Sequence, residues 1–102
     1  MSYKILIDPI ARLDILQSSI WYNEQQPGLG RRFYNSVKQS IKNIKSNPYQ
    51  YQLRYNALRM ALVQKFPFMV MYIIDENKKQ IAITAVLHTS RNPNIWNERT
   101  QY

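Results

Sequence analysis

Seven residues in the second half of the chain limit the possible folds more than any others. Phe68-Met-Val-Met-Tyr-Ile-Ile74 is apolar at every position. A strand with one wet face alternates apolar and polar residues, whereas a run without alternation predicts a strand covered on both faces. Such a strand needs material packed above and below its sheet, which calls for a layered domain. Pro67 bounds the run on one side, and Asp75-Glu-Asn-Lys-Lys79 follows it as an open polar turn. Gln80-Ile-Ala-Ile-Thr-Ala-Val-Leu87 then returns as the closing strand of a hairpin.

The first half supplies the covering layer. Tyr3-Lys-Ile-Leu-Ile-Asp8 reads as a first strand. Asp8-Pro9 opens a helix, with Asp as N-cap and Pro at the first helical position, where its missing N–H costs nothing. Ile10, Leu13, Leu16 and Ile20 recur at three- and four-residue steps and are expected to form its buried face. Trp21 and Tyr22 fall at its end as packing residues. Gln25-Gln-Pro-Gly-Leu-Gly30 stops it. A second helix is predicted over Leu29–Ser46, with Phe33, Val37, Ile41 and Ile44 as its apolar stripe and Asn47-Pro48 as its end.

The short Pro-Gly connection makes the two helices an antiparallel hairpin. Tyr49–Tyr55 reads as a strand, and Asn56-Ala57 turns it back into Arg59–Phe66. On the latter, Met60, Leu62 and Gln64 face one way while Arg59, Ala61, Val63 and Lys65 face the other. The order is strand, helix, helix, then three or four meandering strands. It predicts a single α+β domain over residues 1–102, its helical hairpin packed on one face of a mostly antiparallel sheet.

Composition narrows the chemistry. The 102 residues include no cysteine and one histidine, so neither a disulfide framework nor a conventional His/Cys metal cluster is expected, and no cofactor is. The N-terminal apolar run is short and broken by Asp8 and Pro9, unlike a signal peptide, and no run approaches a bilayer span. A soluble, cytoplasmic protein is expected. Fourteen Lys and Arg against six Asp and Glu give a formal charge of +8. A small domain this basic attracts polyanions or acidic proteins. The second helix adds Arg31, Arg32, Lys38, Lys42 and Lys45, with no acid between Leu29 and Pro48.

Several chemistries are missing from the sequence. Pro27-Gly-Leu-Gly30 lacks the Lys-Ser/Thr of a phosphate loop and does not follow a strand. One histidine supports no Ser-His-Asp assignment, and no paired carboxylates stand out. What remains is basic and aromatic. Arg54 lies on the first meander strand, Arg59 and Lys65 share a face of the next, and His88, Arg91, Trp96 and Arg99 follow the last. Neighbouring strands lie ~4.8 Å apart, so these cations are expected to converge on an anion or an acidic partner. Bidentate arginine contacts suit a phosphate or carboxylates alike.

Five features occur together and in order. Pro27-Gly-Leu-Gly-Arg-Arg-Phe33 joins the helices, and Ile41, Ile44 and Asn47-Pro48 close the second. An arginine-bearing strand enters Lys65-Phe-Pro-Phe68 and leads to Tyr72. An Ile-Ala-Ile-Thr-Ala-Val strand follows, and then His88-Thr-Ser-Arg-Asn-Pro with Trp96 and Arg99. Over roughly residues 3–99 this set resembles the RelE/ParE superfamily, toxins of bacterial type II toxin–antitoxin (plasmid stabilisation) systems. The ParE-like branch is the nearer one, although Asn92 stands where that branch often has Asp.

The resemblance implies a growth-arresting toxin neutralised by an acidic antitoxin whose C-terminal segment wraps it. For a ParE-like toxin it implies a protein that binds and blocks DNA gyrase, with no side-chain acid–base pair required. For a RelE-like toxin it implies metal-independent cleavage of mRNA on the ribosome. His88 would then be general acid or base, since histidine titrates near neutrality. Arg91, Arg59 and Arg54 would grip the phosphate, Lys65 would assist, and Trp96 or Tyr72 would stack a base. Tyr102 falls beyond the matched region.

Overall fold

A computed structural model describes residues 2–90. The elements in chain order are β1 (Lys4–Ile7), α1 (Pro9–Gln25), α2 (Leu29–Ser46), a 3-10 turn (Pro48–Gln50), β2 (Leu53–Tyr55), β3 (Leu58–Leu62), β4 (Phe68–Asp75) and β5 (Gln80–His88). The five strands form one sheet in the order β1-β5-β4-β3-β2. All neighbours are antiparallel except β1, which runs parallel to β5 with Lys4 opposite Gln80 and Ile7 opposite Ile83. The helical hairpin lies between these two strands in sequence and supplies the crossover that a parallel pair requires.

β4 is covered on both faces, as its composition demands. Phe68, Val70 and Tyr72 join the main core with Ala11, Ile15, Phe33, Val37 and Ile44 of the helices. Met69 and Met71 turn the other way and form a second buried cluster with Leu58, Ala85 and Leu87. The switch between faces on β5 comes from a bulge. Met71 pairs with Ala85 but Tyr72 pairs with Ile83, leaving Thr84 as the extra residue. Ile81 and Ile83 therefore face the helices before the bulge, and Val86 faces them after it. The Thr84 hydroxyl is buried and donates to the Met71 carbonyl at 3.3 Å.

An aromatic cluster fixes the hairpin on the sheet. The Phe33 ring lies 4.8 Å from Phe68 and 5.3 Å from Phe66, and Tyr22 lies 5.0 Å from Phe66, mostly edge to face. Such pairs add to what burial alone contributes. Tyr72, fully buried, donates its hydroxyl to the Pro48 carbonyl at 2.6 Å and so ties β4 to the turn after α2. Burial pushes the Tyr72 phenol up to about 12.

Two expectations need correction. The stretch after Pro48 is mostly irregular: a 3-10 turn precedes a strand of three residues, because Pro48 favours a helical turn over an extended start. The larger difference lies on α1. Ile10, Leu13, Leu16 and Ile20, expected inside, are each half exposed, at 50–55%. Ala11 and Ile15 are buried instead, with Tyr22 packed beside them. At 100° per residue the two sets lie roughly 180° apart. The helix has two apolar faces, and the one with Ala11, Ile15 and Tyr22 packs on the core while α2 approaches α1 closely at Ser19. Gly30 of α2 sits so near that a Cβ on it would lie 2.3 Å from the Ser19 carbonyl oxygen.

Candidate partner-binding surfaces and the His88 strand end

His88 is the last residue of β5, opposite Phe68. Its half-buried ring packs edge to face on Phe68 at 5.3 Å. Nδ1 accepts the Ser90 backbone N–H at 3.1 Å and lies 2.8 Å from the Ser90 hydroxyl. A backbone N–H can only donate, so Nδ1 is the acceptor in that contact. The Thr89 N–H meanwhile donates to the Pro67 carbonyl at 2.9 Å, pinning this corner to the β3–β4 connection. The bulge at Thr84 places Val86 beneath α1, where its N–H donates to the Asp14 carboxylate at 3.0 Å. A depression of about 620 Å³ opens here, lined by Asp14, Gln17, Trp21, Tyr22, Phe68 and His88 among others.

The cations sit elsewhere. Arg59, half-buried on β3, donates from a guanidinium nitrogen to the Tyr51 carbonyl at 2.6 Å, and its charge lies 5.0 Å from the centre of the Tyr49 ring. It braces the irregular stretch before β2 against the sheet. Arg54 is exposed on β2 and borders a shallow depression with Gln50, Gln52, Met60 and Leu62. Lys65 is exposed in the β3–β4 turn at a φ of 69°. That left-handed conformation costs a non-glycine residue roughly 1 kcal/mol. Lys65 borders a different depression, with Asn35, Gln39 and Asn43 of α2. The depressions of Arg54 and Lys65 adjoin through Tyr51 and Leu62, and Arg59 is bonded to Tyr51, whereas His88 stands apart at the end of β5. Arg91, Trp96 and Arg99 lie outside the described residues, as does Tyr102.

Two further features escaped the sequence reading. The first is an acid-centred clasp at the far end of the sheet. Glu76, in the β4–β5 turn, accepts hydrogen bonds from the Tyr49 and Tyr3 hydroxyls and from the Lys79 ammonium. These donors, Lys79 first, hold its carboxyl down at about 2. The same bond to Glu76 pushes the Tyr49 phenol up to about 12. The second is a groove of about 770 Å³ between α1 and α2. Ile15, Leu16, Ile20, Val37 and Ile41 line it, and Arg12, Arg31 and Lys38 ring it. Its chemistry suits an apolar segment flanked by acids.

No group of three or more His, Cys, Asp or Glu suited to a metal ion occurs among the described residues. No helix among them is long and apolar enough to cross a membrane.

A helical hairpin on one face of a mostly antiparallel five-stranded sheet is the architecture of small toxins of the RelE and ParE type. The solved structures bear this out. The chain is similar to a chromosomal ParDE toxin–antitoxin system from P. aeruginosa, with a TM-score of 0.74 and 13% identity over 84% of this chain and 95% of that one. It is also similar to a free mutant of the E. coli toxin RelE, with a TM-score of 0.70 and 13% identity over 99% and 97%. A third likeness is to the toxin–antitoxin complex RelBE2 from Mycobacterium tuberculosis, at 0.61 and 16% over 86% and 99%. No curated protein matches the sequence. The family model of the ParE toxin of the type II toxin–antitoxin system parDE matches residues 7–93, and the chain belongs to that family.

Proposed function

We propose that this toxin arrests growth by binding DNA gyrase and blocking it, and that an acidic antitoxin neutralises it. The observation that carries the reading is the state of His88. Its Nδ1 accepts the Ser90 N–H and its ring packs on Phe68, so the side chain serves as a strand-end cap. Arg59 supports the same reading, because it braces Tyr51 and Tyr49 instead of standing open to a phosphate. An inhibitor acts by surface complementarity and needs neither group free. Arg54, Lys65, Arg91, Trp96 and Arg99 are then contacts to a partner. The antitoxin's acids meet α2, whose five cations have no acid among them.

The RelE-like reading, metal-independent mRNA cleavage on the ribosome, assigns catalysis to His88 and Arg91. One experiment separates the two. The toxin and its His88→Ala variant are expressed without antitoxin while message 5′ ends are mapped, and the purified proteins are added to gyrase in a supercoiling assay. Intact messages, inhibited supercoiling and a variant that still arrests growth are expected. New 5′ ends on translated messages, lost in the variant, would replace this reading with the nuclease one.

A further inference from the structure

We infer that the depression at the end of β5 is a docking site for the chain's own last segment, residues 91–102, with Trp96 as its anchor. That segment lies outside the described residues, whereas the site it would fill lies within them. The depression measures about 620 Å³, and Trp21, Tyr22, Phe68, Val86 and Leu87 give it an apolar wall. Trp21 leaves more than half of its surface exposed there. The depression also lies where the chain leaves the sheet. His88 lines it, the His88 ring accepts the Ser90 N–H, and the Pro67 carbonyl accepts the Thr89 N–H. The last segment therefore departs from the rim. Trp96 follows Ser90 by six residues, a reach of about 20 Å when fully extended, and Pro93 pre-sets a turn on the way.

The tether selects this occupant. A group joined to its site by a short linker faces it at an effective concentration in the millimolar range. A second copy or an antitoxin reaches the same depression only at its free concentration. Composition agrees with the tether. Ile95 and Trp96 form an adjacent apolar pair in a mostly polar segment, and tryptophan is prominent among the side chains that anchor a contact by filling a pocket. Charge points the same way. Among the described residues that line the depression there is one carboxylate, Asp14, and no Lys or Arg. The Val86 N–H fixes that carboxylate in place at 3.0 Å without cancelling its charge. The segment brings Arg91 and Arg99 against a single acid, Glu98. It suits this lining, whereas an acidic partner is better matched by the groove ringed with Arg12, Arg31 and Lys38.

Docking goes beyond gyrase inhibition and antitoxin binding and depends on neither. It does set their order of events. A seated Trp96 is shielded, so its contact with a target begins with release from the depression.

The chain has two tryptophans, so a full-length Trp21→Phe toxin leaves Trp96 as the sole indole emitter. Its emission and its quenching by acrylamide are compared with those of a synthetic peptide of residues 91–102 across a range of toxin concentrations. Blue-shifted emission and quenching several-fold weaker than in the peptide are expected, the same at every concentration. Adding Ser18→Arg or, on the exposed side of α1, Gln17→Lys crowds the rim with a cation. Either change is expected to move Trp96 toward peptide-like emission with unchanged circular dichroism. Peptide-like quenching in the Trp21→Phe toxin itself overturns the inference, and this holds whether or not the rim variants fold. Shielding that survives both rim variants overturns it as well. Shielding that appears only as concentration rises, or only on adding antitoxin, would give the depression to a second copy or to the antitoxin instead.

Discussion

Single residues show where this small domain spends its polar groups. Glu76 gathers two tyrosines and a lysine around one exposed carboxylate and joins the start of β1, the turn after α2 and the β4–β5 connection. Its folded value of about 2 lies below the 4.5 of an ordinary glutamate. A depressed acid contributes stability that is present above the unfolded value and is lost as pH falls through the folded one. The toxin should therefore lose stability between about pH 4.5 and 2, and Glu76→Gln should flatten that limb in urea titrations repeated across pH. Gly30 acts by what it lacks. Alanine there gains about 1 kcal/mol of helix propensity, but its Cβ meets the Ser19 carbonyl oxygen at 2.3 Å. Overpacking against backbone costs about 1–3 kcal/mol. Gly30→Ala is expected to lower the thermal midpoint, as followed by circular dichroism, and a rise would show that the helices separate freely.

At the level of elements, most boundaries follow from punctuation. Pro9, the Pro27-Gly28 pair and Pro48 bracket both helices, and the unbroken apolar run of β4 announced a strand buried on two faces. Two things were hidden. The apolar face of α1 was assigned by the three- and four-residue spacing of Ile10, Leu13, Leu16 and Ile20, yet Ala11 and Ile15 take the sheet. Periodicity reports that a face is apolar, and it cannot say which of two apolar faces is inside. The other is the bulge, since nothing in Ile-Thr-Ala distinguishes a regular strand from one that changes faces at Thr84. The bulge is testable by deletion. Removing Thr84 takes out the extra residue and leaves Ile83 and Val86 on the helix face with Ala85 and Leu87 on the other, as in the native sheet. Deletion is expected to keep a single cooperative transition in urea followed by circular dichroism, whereas loss of cooperativity would show that the bulge itself is required, and Thr84→Val, which keeps the count, should cost about 1 kcal/mol for the lost hydroxyl bond.

Over the whole molecule, charge and shape divide the labour. The candidate site was only partly legible in the sequence, because residue types reveal a basic protein but not which cations are already engaged. Arg59 donates to the Tyr51 carbonyl and lies over the Tyr49 ring, while Arg54 and Lys65 are exposed in adjoining depressions that share Tyr51 and Leu62. The field that reaches a partner at a distance comes instead from α2, with Arg31, Arg32, Lys38, Lys42 and Lys45 on one element and no acid between them. If the antitoxin is steered by that field, its association rate should fall about tenfold or more from low to physiological salt, while dissociation changes little. Replacing Lys38, Lys42 and Lys45 with glutamate should slow association and remove most of the salt dependence without altering the fold, since all three side chains are exposed. Stopped-flow mixing with the antitoxin reads both effects. A triple variant that associates as fast as the wild type, with the same salt slope, would move the antitoxin off α2 and onto the sheet.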